Sequence, residues 1–157
     1  MRIGFGFDVH QLVEHVPFTL GGMVIPHHKG AIGHSDADTL IHAICDALLG
    51  AANLGDIGMH FPDSDPTLKG IDSKILLQKV TQLIAQRGYR IVNIDTTICL
   101  QQPKLRPYIL QMQETLTRVM DIPVNNLSIK ATTTEKLGFT GREEGVSAYA
   151  VALINEV

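Results

Sequence analysis

The stretch Gly4-Phe5-Gly6-Phe7-Asp8-Val9-His10 restricts the fold more than any other part of the chain. Read as a strand, it puts Ile3, Phe5, Phe7 and Val9 on one face and Asp8 and His10 on the other. Side chains at i and i+2 of a strand point the same way, so a carboxylate and an imidazole aim at one point from a stiff support. Two such groups begin a divalent metal site but do not complete it. The fold must bring a further ligand to that face.

Strands and helices alternate through the rest of the chain. Within Val16 to Pro26, Gly21-Gly22 separates Phe18-Thr19-Leu20 from Met23-Val24-Ile25 and predicts a hairpin with a two-residue turn. His27 to Ser35 reads as a polar loop. From Asp36 to Ala52, Leu40, Ala43, Ile44, Ala47, Leu48 and Ala51 recur at spacings of three and four, which predicts a helix capped by Ser35 or Asp36. Gly50 to Lys69 reads as a long shaped loop, and loops of that length are usually functional or disordered. Asp72 to Arg87 predicts a second helix with Ile75, Leu76, Val80, Leu83 and Ile84 inward and Gly88 as its stop. A strand over Ile91 to Gln101, a helix from Pro107 to about Met120, and strands over Leu127 to Thr133 and Val146 to Ile154 follow.

Hairpin-linked and helix-linked strands together predict an α+β fold, a mixed sheet with helices packed on one face, in a single catalytic domain over residues 1–157. The last strand is apolar on both sides, with Val146, Ala148, Ala150, Ala152 and Ile154 against Tyr149, Val151 and Leu153. One layer of helices covers only one side. The second face is therefore expected to be buried between subunits, the small alanines permitting close approach.

A net charge of -3 removes the general basic field that would draw nucleic acid or an anionic membrane, so neither is expected as a partner. No apolar run approaches a membrane span. Cys45 and Cys99 are too few for a disulfide framework. A strand that begins almost at Met1 leaves no room for a signal peptide, and a cytoplasmic location is expected.

The obvious third metal ligand is His42, which lies off the apolar stripe of the expected helix; His34 and His60, both in loops, compete with it. Two nitrogens and one oxygen leave a fourth tetrahedral position open, a pattern that suits zinc acting on a substrate oxygen. Asp46, one turn after His42, is placed either to accept the ring's other N–H or to sit solvated. In Ala131-Thr132-Thr133-Thr134-Glu135-Lys136, three hydroxyls and an ammonium can bind phosphate oxygens, and Glu135 can hold a Mg²⁺ that bridges them. Thr132 and Glu135 equally fit a helix capping box. Gln101-Gln102-Pro103-Lys104 offers amides and a cation to a base or a phosphate, or forms a polar turn. Asp56, Asp63 and Asp65 offer acceptors to sugar hydroxyls, or make local turns. These residues by themselves favour a zinc phosphoesterase acting on a nucleotide diphosphate.

Taken together, the segments resemble the 2-C-methyl-D-erythritol 2,4-cyclodiphosphate synthase family nearly end to end. The carrying motifs are Gly4-x-Gly6-x-Asp8-Val9-His10, then His34-Ser35-Asp36-Ala37-Asp38 followed by the run from His42 to Ala52, then Gly55-Asp56-Ile57-Gly58, Phe61 to Pro66, and Lys130 to Gly145. The resemblance implies a homotrimer with an active site at each subunit interface. It implies conversion of a small nucleotide, 4-diphosphocytidyl-2-C-methyl-D-erythritol 2-phosphate, to the cyclic diphosphate and CMP in non-mevalonate isoprenoid biosynthesis.

Carried over by position, Asp8, His10 and His42 match zinc ligands, and Glu135 a residue beside Mg²⁺ or Mn²⁺ on the substrate's phosphates. His34 and Thr133 match transition-state stabilisers, and Ser35 and Thr134 further substrate contacts. Asp56, Ile57 and Gly58 match contacts to the methylerythritol part, with Phe61, Pro62, Asp63, Ser64 and Asp65 as a loop beside it. Leu100, Gln101, Gln102, Pro103, Lys104, Leu105 and Arg106, with Ala131 and Thr132, match the cytidine pocket. Phe139, Arg142 and Glu144 match residues at the threefold axis, where the family has a cavity that can take an isoprenoid diphosphate. The chain departs from relatives at Phe5, where some have His, and at Leu100 and Gln102, where smaller residues are frequent. A non-catalytic isoprenoid-diphosphate-binding protein is the remaining alternative.

Overall fold

The computed structural model describes residues 1–157. In chain order the elements are β1 (Arg2–Glu14), β2 (Phe18–Leu20), β3 (Met23–Ile25), β4 (Lys29–Ile32), α1 (Thr39–Ala51), α2 (Ile57–His60), α3 (Ser73–Gln86), β5 (Tyr89–Cys99), α4 (Ile109–Met120), β6 (Leu127–Thr132), α5 (Gly138–Gly141) and β7 (Gly145–Glu156). Five strands make one mixed sheet in the order β4-β1-β7-β5-β6, with β5 and β6 parallel and the other pairs antiparallel. The expected α+β class is the one adopted. No helix is long and apolar enough to cross a membrane.

The opening motif owes its glycines to α1. Gly4 and Gly6 sit on the same face of β1 as Asp8, paired with Ala152, Ala150 and Ala148 of β7. A Cβ on Gly4 would lie 1.9 Å from the Ala47 carbonyl oxygen, and one on Gly6 1.9 Å from that of Ala43. Only bare backbone lets the helix lie this close. The buried alanines of β7 serve the same end, so it is α1 and not a second subunit that approaches them. The face left uncovered is the bulky one, with Ile3, Phe5, Phe7 and Val9 of β1 exposed beside Tyr149 and Val151 of β7. The Tyr149 ring lies tilted against both, its centroid 5.1 Å from that of Phe7 and 6.5 Å from that of Phe5. A contiguous apolar patch of this kind marks an interaction surface.

Several expectations are corrected. The polar loop after the hairpin contains β4, which pairs with the far end of β1 from Gln11↔Ile32 to Glu14↔Lys29. The helix cap is Asp38, not Ser35 or Asp36. Its carboxylate accepts from the amide of Ile41 at 3.1 Å and from those of Gly21 and Gly22 at 3.0 and 2.6 Å, so one buried side chain caps α1 and anchors the hairpin turn. Burial pushes that carboxyl above the usual range against the pull of these three donors. In α3, Ile75 faces outward and Leu77 takes the buried place. The long loop over Gly50 to Lys69 contains α2 and a 3-10 turn at Pro66–Leu68.

Candidate functional site

Asp8 Oδ2 lies 3.0 Å from Nδ1 of His10 and 3.0 Å from Nδ1 of His42. β1 supplies the first two residues two positions apart, and the close seating of α1 brings the third across. Of the competing ligands, His34 sits with Nδ1 4.0 Å from Asp63, and the ring of His60 donates to the Leu54 carbonyl at 2.7 Å. Neither joins the cluster; His42 does. Burial pushes the Asp8 carboxyl up, but its hydrogen bonds with His10 and His42 and their charges prevail and hold it below the usual carboxylate range. Burial pulls His42 down, but the bond to Asp8 and the charges of Asp8, Asp38 and Asp36 prevail and raise it. Two imidazole nitrogens and one carboxylate oxygen converging from rigid elements are a donor set that fits Zn²⁺ with one position left for substrate.

Around this cluster is a cavity of about 300 Å³, walled by His34 and Ser35 on one side and by Ile57, Gly58, Phe61 and Asp63 on the other. Asp46 makes no hydrogen bond to His42. Its Oδ1 accepts from the Ile57 amide at 2.7 Å and so fixes the loop that carries Gly58. His42 is braced instead by two hydroxyls, Ser35 Oγ and Ser73 Oγ, each 3.0 Å from Nε2. Ser73 escaped the sequence reading because it opens α3 as an ordinary first helical residue, 31 positions from His42. Asp56 caps α2 through the Met59 amide, and Asp65 accepts from the amide and hydroxyl of Thr67, the local turn roles that were one of their two readings.

A second cavity, about 280 Å³, is lined by Leu100, Pro103 to Arg106, Ile109 and Ala131 to Thr133. Gln101 and Gln102 stand outside the lining, and Gln101 Oε1 accepts from the Lys136 amide at 3.3 Å. No helix starts at Thr132, so the capping-box reading fails: Glu135 and Lys136 have φ of 52° and 65°, and α5 begins only at Gly138. Thr133 Oγ1 accepts from the Glu135 amide at 3.3 Å and lies 3.5 Å from its carboxylate, while Thr134 Oγ1 donates to the Leu137 carbonyl. The Glu135 carboxylate is exposed beside a hydroxyl, a disposition that suits a Mg²⁺ held by one protein oxygen and by substrate. Phe139 and Glu144 border an open hollow beside Val9, and Arg142 forks onto Glu144 with two bonds of 2.9 Å.

The strand registers align Asp8 with Ala148, Ile98 and Ala131. Three strand spacings, roughly 14 Å, therefore part the two cavities, with α1 packed on β1 and β7 between them. A further cluster, His27, His28 and Glu143, also brings its ligand atoms within 4.8 Å of one another.

The YgbB family matches residues 1–155. A 2-C-methyl-D-erythritol 2,4-cyclodiphosphate synthase of Bacteroides fragilis is 64% identical over 157 residues, covering 100% of this chain and 99% of that protein. Among solved structures, the bifunctional IspDF of Campylobacter jejuni superposes with a TM-score of 0.96 at 39% identity, covering 99% of this chain and 42% of that one. A 2C-methyl-D-erythritol-2,4-cyclodiphosphate synthase in its CDP-bound form gives 0.91 at 38% identity over 98% of this chain and 100% of that one.

Proposed function

The chain belongs to the YgbB family, and on that premise we propose that it is a 2-C-methyl-D-erythritol 2,4-cyclodiphosphate synthase, a CMP-releasing phosphorus–oxygen lyase. It takes 4-diphosphocytidyl-2-C-methyl-D-erythritol 2-phosphate to the cyclic diphosphate in non-mevalonate isoprenoid biosynthesis. The observation that carries the reading is the convergence of Asp8, His10 and His42 in a cavity also lined by His34, Ser35, Gly58 and Asp63.

The reaction is an intramolecular attack of the 2-phosphate on the β-phosphorus, so no protein nucleophile is required. Orientation of a flexible polyanion supplies roughly 7–11 kcal/mol in well-aligned intramolecular systems. Asp56, Ile57 and Gly58, held by Asp46, grip the methylerythritol part, and Phe61 to Asp65 close over it. Leu100 and Pro103 to Arg106, with Ala131 and Thr132, take the cytidine, the Lys104 and Arg106 cations lying beside its phosphates. Thr133 and His34 donate to phosphoryl oxygens as charge builds on them. When bound, Zn²⁺ at Asp8, His10 and His42 and Mg²⁺ or Mn²⁺ at Glu135 supply Lewis-acid neutralisation of the phosphates.

One chain separates the two cavities by α1, and the bulky apolar face of β1 and β7 stands uncovered. Both features support a homotrimer in which the cytidine cavity of one subunit completes the metal cavity of the next, with Phe139 and Arg142 near the axis beside a hollow for an isoprenoid diphosphate. The single catalytic domain works in the cytoplasm. A phosphorus-31 NMR assay with the cytidine diphosphate substrate tests the reading. Cyclic diphosphate and CMP appearing together are expected, and an acyclic phosphate product overturns cyclisation in favour of hydrolysis.

A further inference from the structure

We propose that Lys79 is a positioning residue for the substrate: from the outer side of α3 its ammonium holds the Phe61 ring, and so sets the wall of the metal cavity on the side given to the methylerythritol part. This rests on the cyclisation reading given above. Phe61 is the one residue that borders both the metal cavity and an outer hollow of about 320 Å³, which is lined also by His60, Lys79, Gln82, Leu83 and Gln86. Its backbone is fixed, since its amide donates to the Ile57 carbonyl at 2.8 Å where α2 ends. Its side chain is not fixed by packing alone. The ring is half-buried against the core and open to the hollow. A core ring is held because neighbours fill the space around it, and here part of that space is the hollow.

Lys79 supplies the missing restraint. Its Nζ lies over the Phe61 ring, 5.8 Å from the centroid, within the range at which an ammonium is drawn to the face of an aromatic ring. The His60 ring flanks Phe61 at 6.3 Å and is itself tied to the Leu54 carbonyl. Lys74 and Lys130 have carboxylate partners and Lys29 a carbonyl, whereas Lys79 has neither, so its charge is not committed elsewhere.

That charge also reaches the far end of the same loop. Hydrogen bonds from Thr67 hold the Asp65 carboxyl below the usual range, and the charges of His34 and Lys79 add to the effect. A lysine near a site for a polyanion acts either through the ring or merely as a nearby charge. Lys79 lines the hollow and not the metal cavity. It is exposed, and an exposed charge acting at a distance is screened by salt. The ring is therefore the route by which it reaches the substrate.

The test is a double-mutant cycle on cyclisation by the intact chain. Lys79→Met keeps the stem and removes the charge. It is expected to raise KM by about 2–5-fold with kcat unchanged. Lys79→Arg is expected to restore the wild-type value, and Lys79→Met to add nothing once Phe61→Leu is present. Without substrate, the proton signal of the Lys79 ε-methylene is expected upfield of its position in Phe61→Leu, because the ring shields it. An unchanged KM in Lys79→Met overturns the proposal. So does an equal rise with and without the Phe61 ring, which would make Lys79 a general attractor of polyanions. An ε-methylene signal indifferent to loss of the ring overturns it as well. If the wild type releases no CMP, the cyclisation reading fails instead, and the spectrum still decides whether Lys79 holds the ring.

Discussion

Two clusters in this chain are alike in composition, two histidines and a carboxylate, and opposite in surroundings. Asp8, His10 and His42 gather their donor atoms within 4.8 Å, and so do His27, His28 and Glu143. A proton is the simplest cation with which to probe them. Burial lowers both His42 and His27, but at His42 the bond to Asp8 and the charges of three aspartates turn the balance, and its pKa rises. At His27 burial is reinforced by His28 and Lys29 against Glu143 alone, and its pKa falls. The Lys29 ammonium donates to the Glu143 carbonyl at 2.9 Å, so a cation already occupies the edge of that cluster. The Nε2 of His27 is buried without a partner, whereas the Nε2 of His42 has two hydroxyls against it. Surrounding charge and bracing, more than ligand count, separate a cation site from a cluster of nearby side chains.

The harshest way to break the contrast is Asp8→Asn. It removes the carboxylate between the two imidazoles and leaves their positions intact. Zinc per chain, measured by elemental analysis of the purified protein, is expected to fall from one to near zero. Turnover should drop by more than the roughly 10–100-fold that outer-shell losses cost. Zinc retained at one per chain would transfer the metal to the second cluster and reverse the comparison.

Gly6→Ala attacks the first cluster through the fold. A methyl 1.9 Å from the Ala43 carbonyl forces α1 off β1, carrying His42 away from Asp8. Overpacking of this kind costs about 1–3 kcal/mol, occasionally more, and each kcal/mol lowers Tm by roughly 2–4 °C in a chain of this size. The second cluster lies away from this contact. Loss of zinc with the His27 and His28 NMR signals unchanged is the expected pattern.

This dependence shows where sequence reading succeeds and stops. The strand at Asp8 and His10 and the helix at His42 are legible because period two and period 3.6 are local properties. The glycines are visible too, but not that a helix rests on them, because that is a contact between residues about forty positions apart. β4 was missed because a four-residue Lys29-Gly30-Ala31-Ile32 strand carries no pattern of its own and forms only on the overhang of β1. The alanines of β7 correctly signalled close approach and misled on the partner. Helical spacing offers Asp46 either to His42 or to solvent, yet its carboxylate turns to the Ile57 amide, and Ser73 stands behind the imidazole. Positions two to four apart can be argued from sequence; braces that join separate loops require the fold.

The pH dependence sharpens the comparison further. In the metal-free chain, the raised His42 contributes stability that is fully present below its unfolded value of about 6.5 and is lost as pH rises through the higher folded value. Asp8, lowered, contributes above about 3.9 and loses that contribution only as pH falls through its depressed value. Zinc must displace the His42 proton, so below the raised value its apparent affinity is expected to fall by about tenfold per pH unit. Asp8 adds no slope there because it stays ionised. Competition titrations across neutral pH measure this, and a flat profile would remove His42 from the ligand set.

The smallest effects belong to the second cluster, where the expectation is near silence. His28 is exposed, and His28→Ala should change stability by no more than about 0.5 kcal/mol. Glu143 sits at φ 57°, a left-handed conformation that costs a non-glycine residue roughly 1–2 kcal/mol. Glu143→Gly relieves that strain and gives back part of the gain as unfolded-state entropy. The net expectation is stabilisation by under about 1 kcal/mol, read from denaturant midpoints at unchanged slope. Zinc content should stay at one per chain in both variants, since neither touches the Asp8 cluster. If Glu143→Gly instead lowered the metal content, the strained backbone would be explained as the holder of a ligand, and the field of Lys29 would prove too weak to keep a divalent ion away.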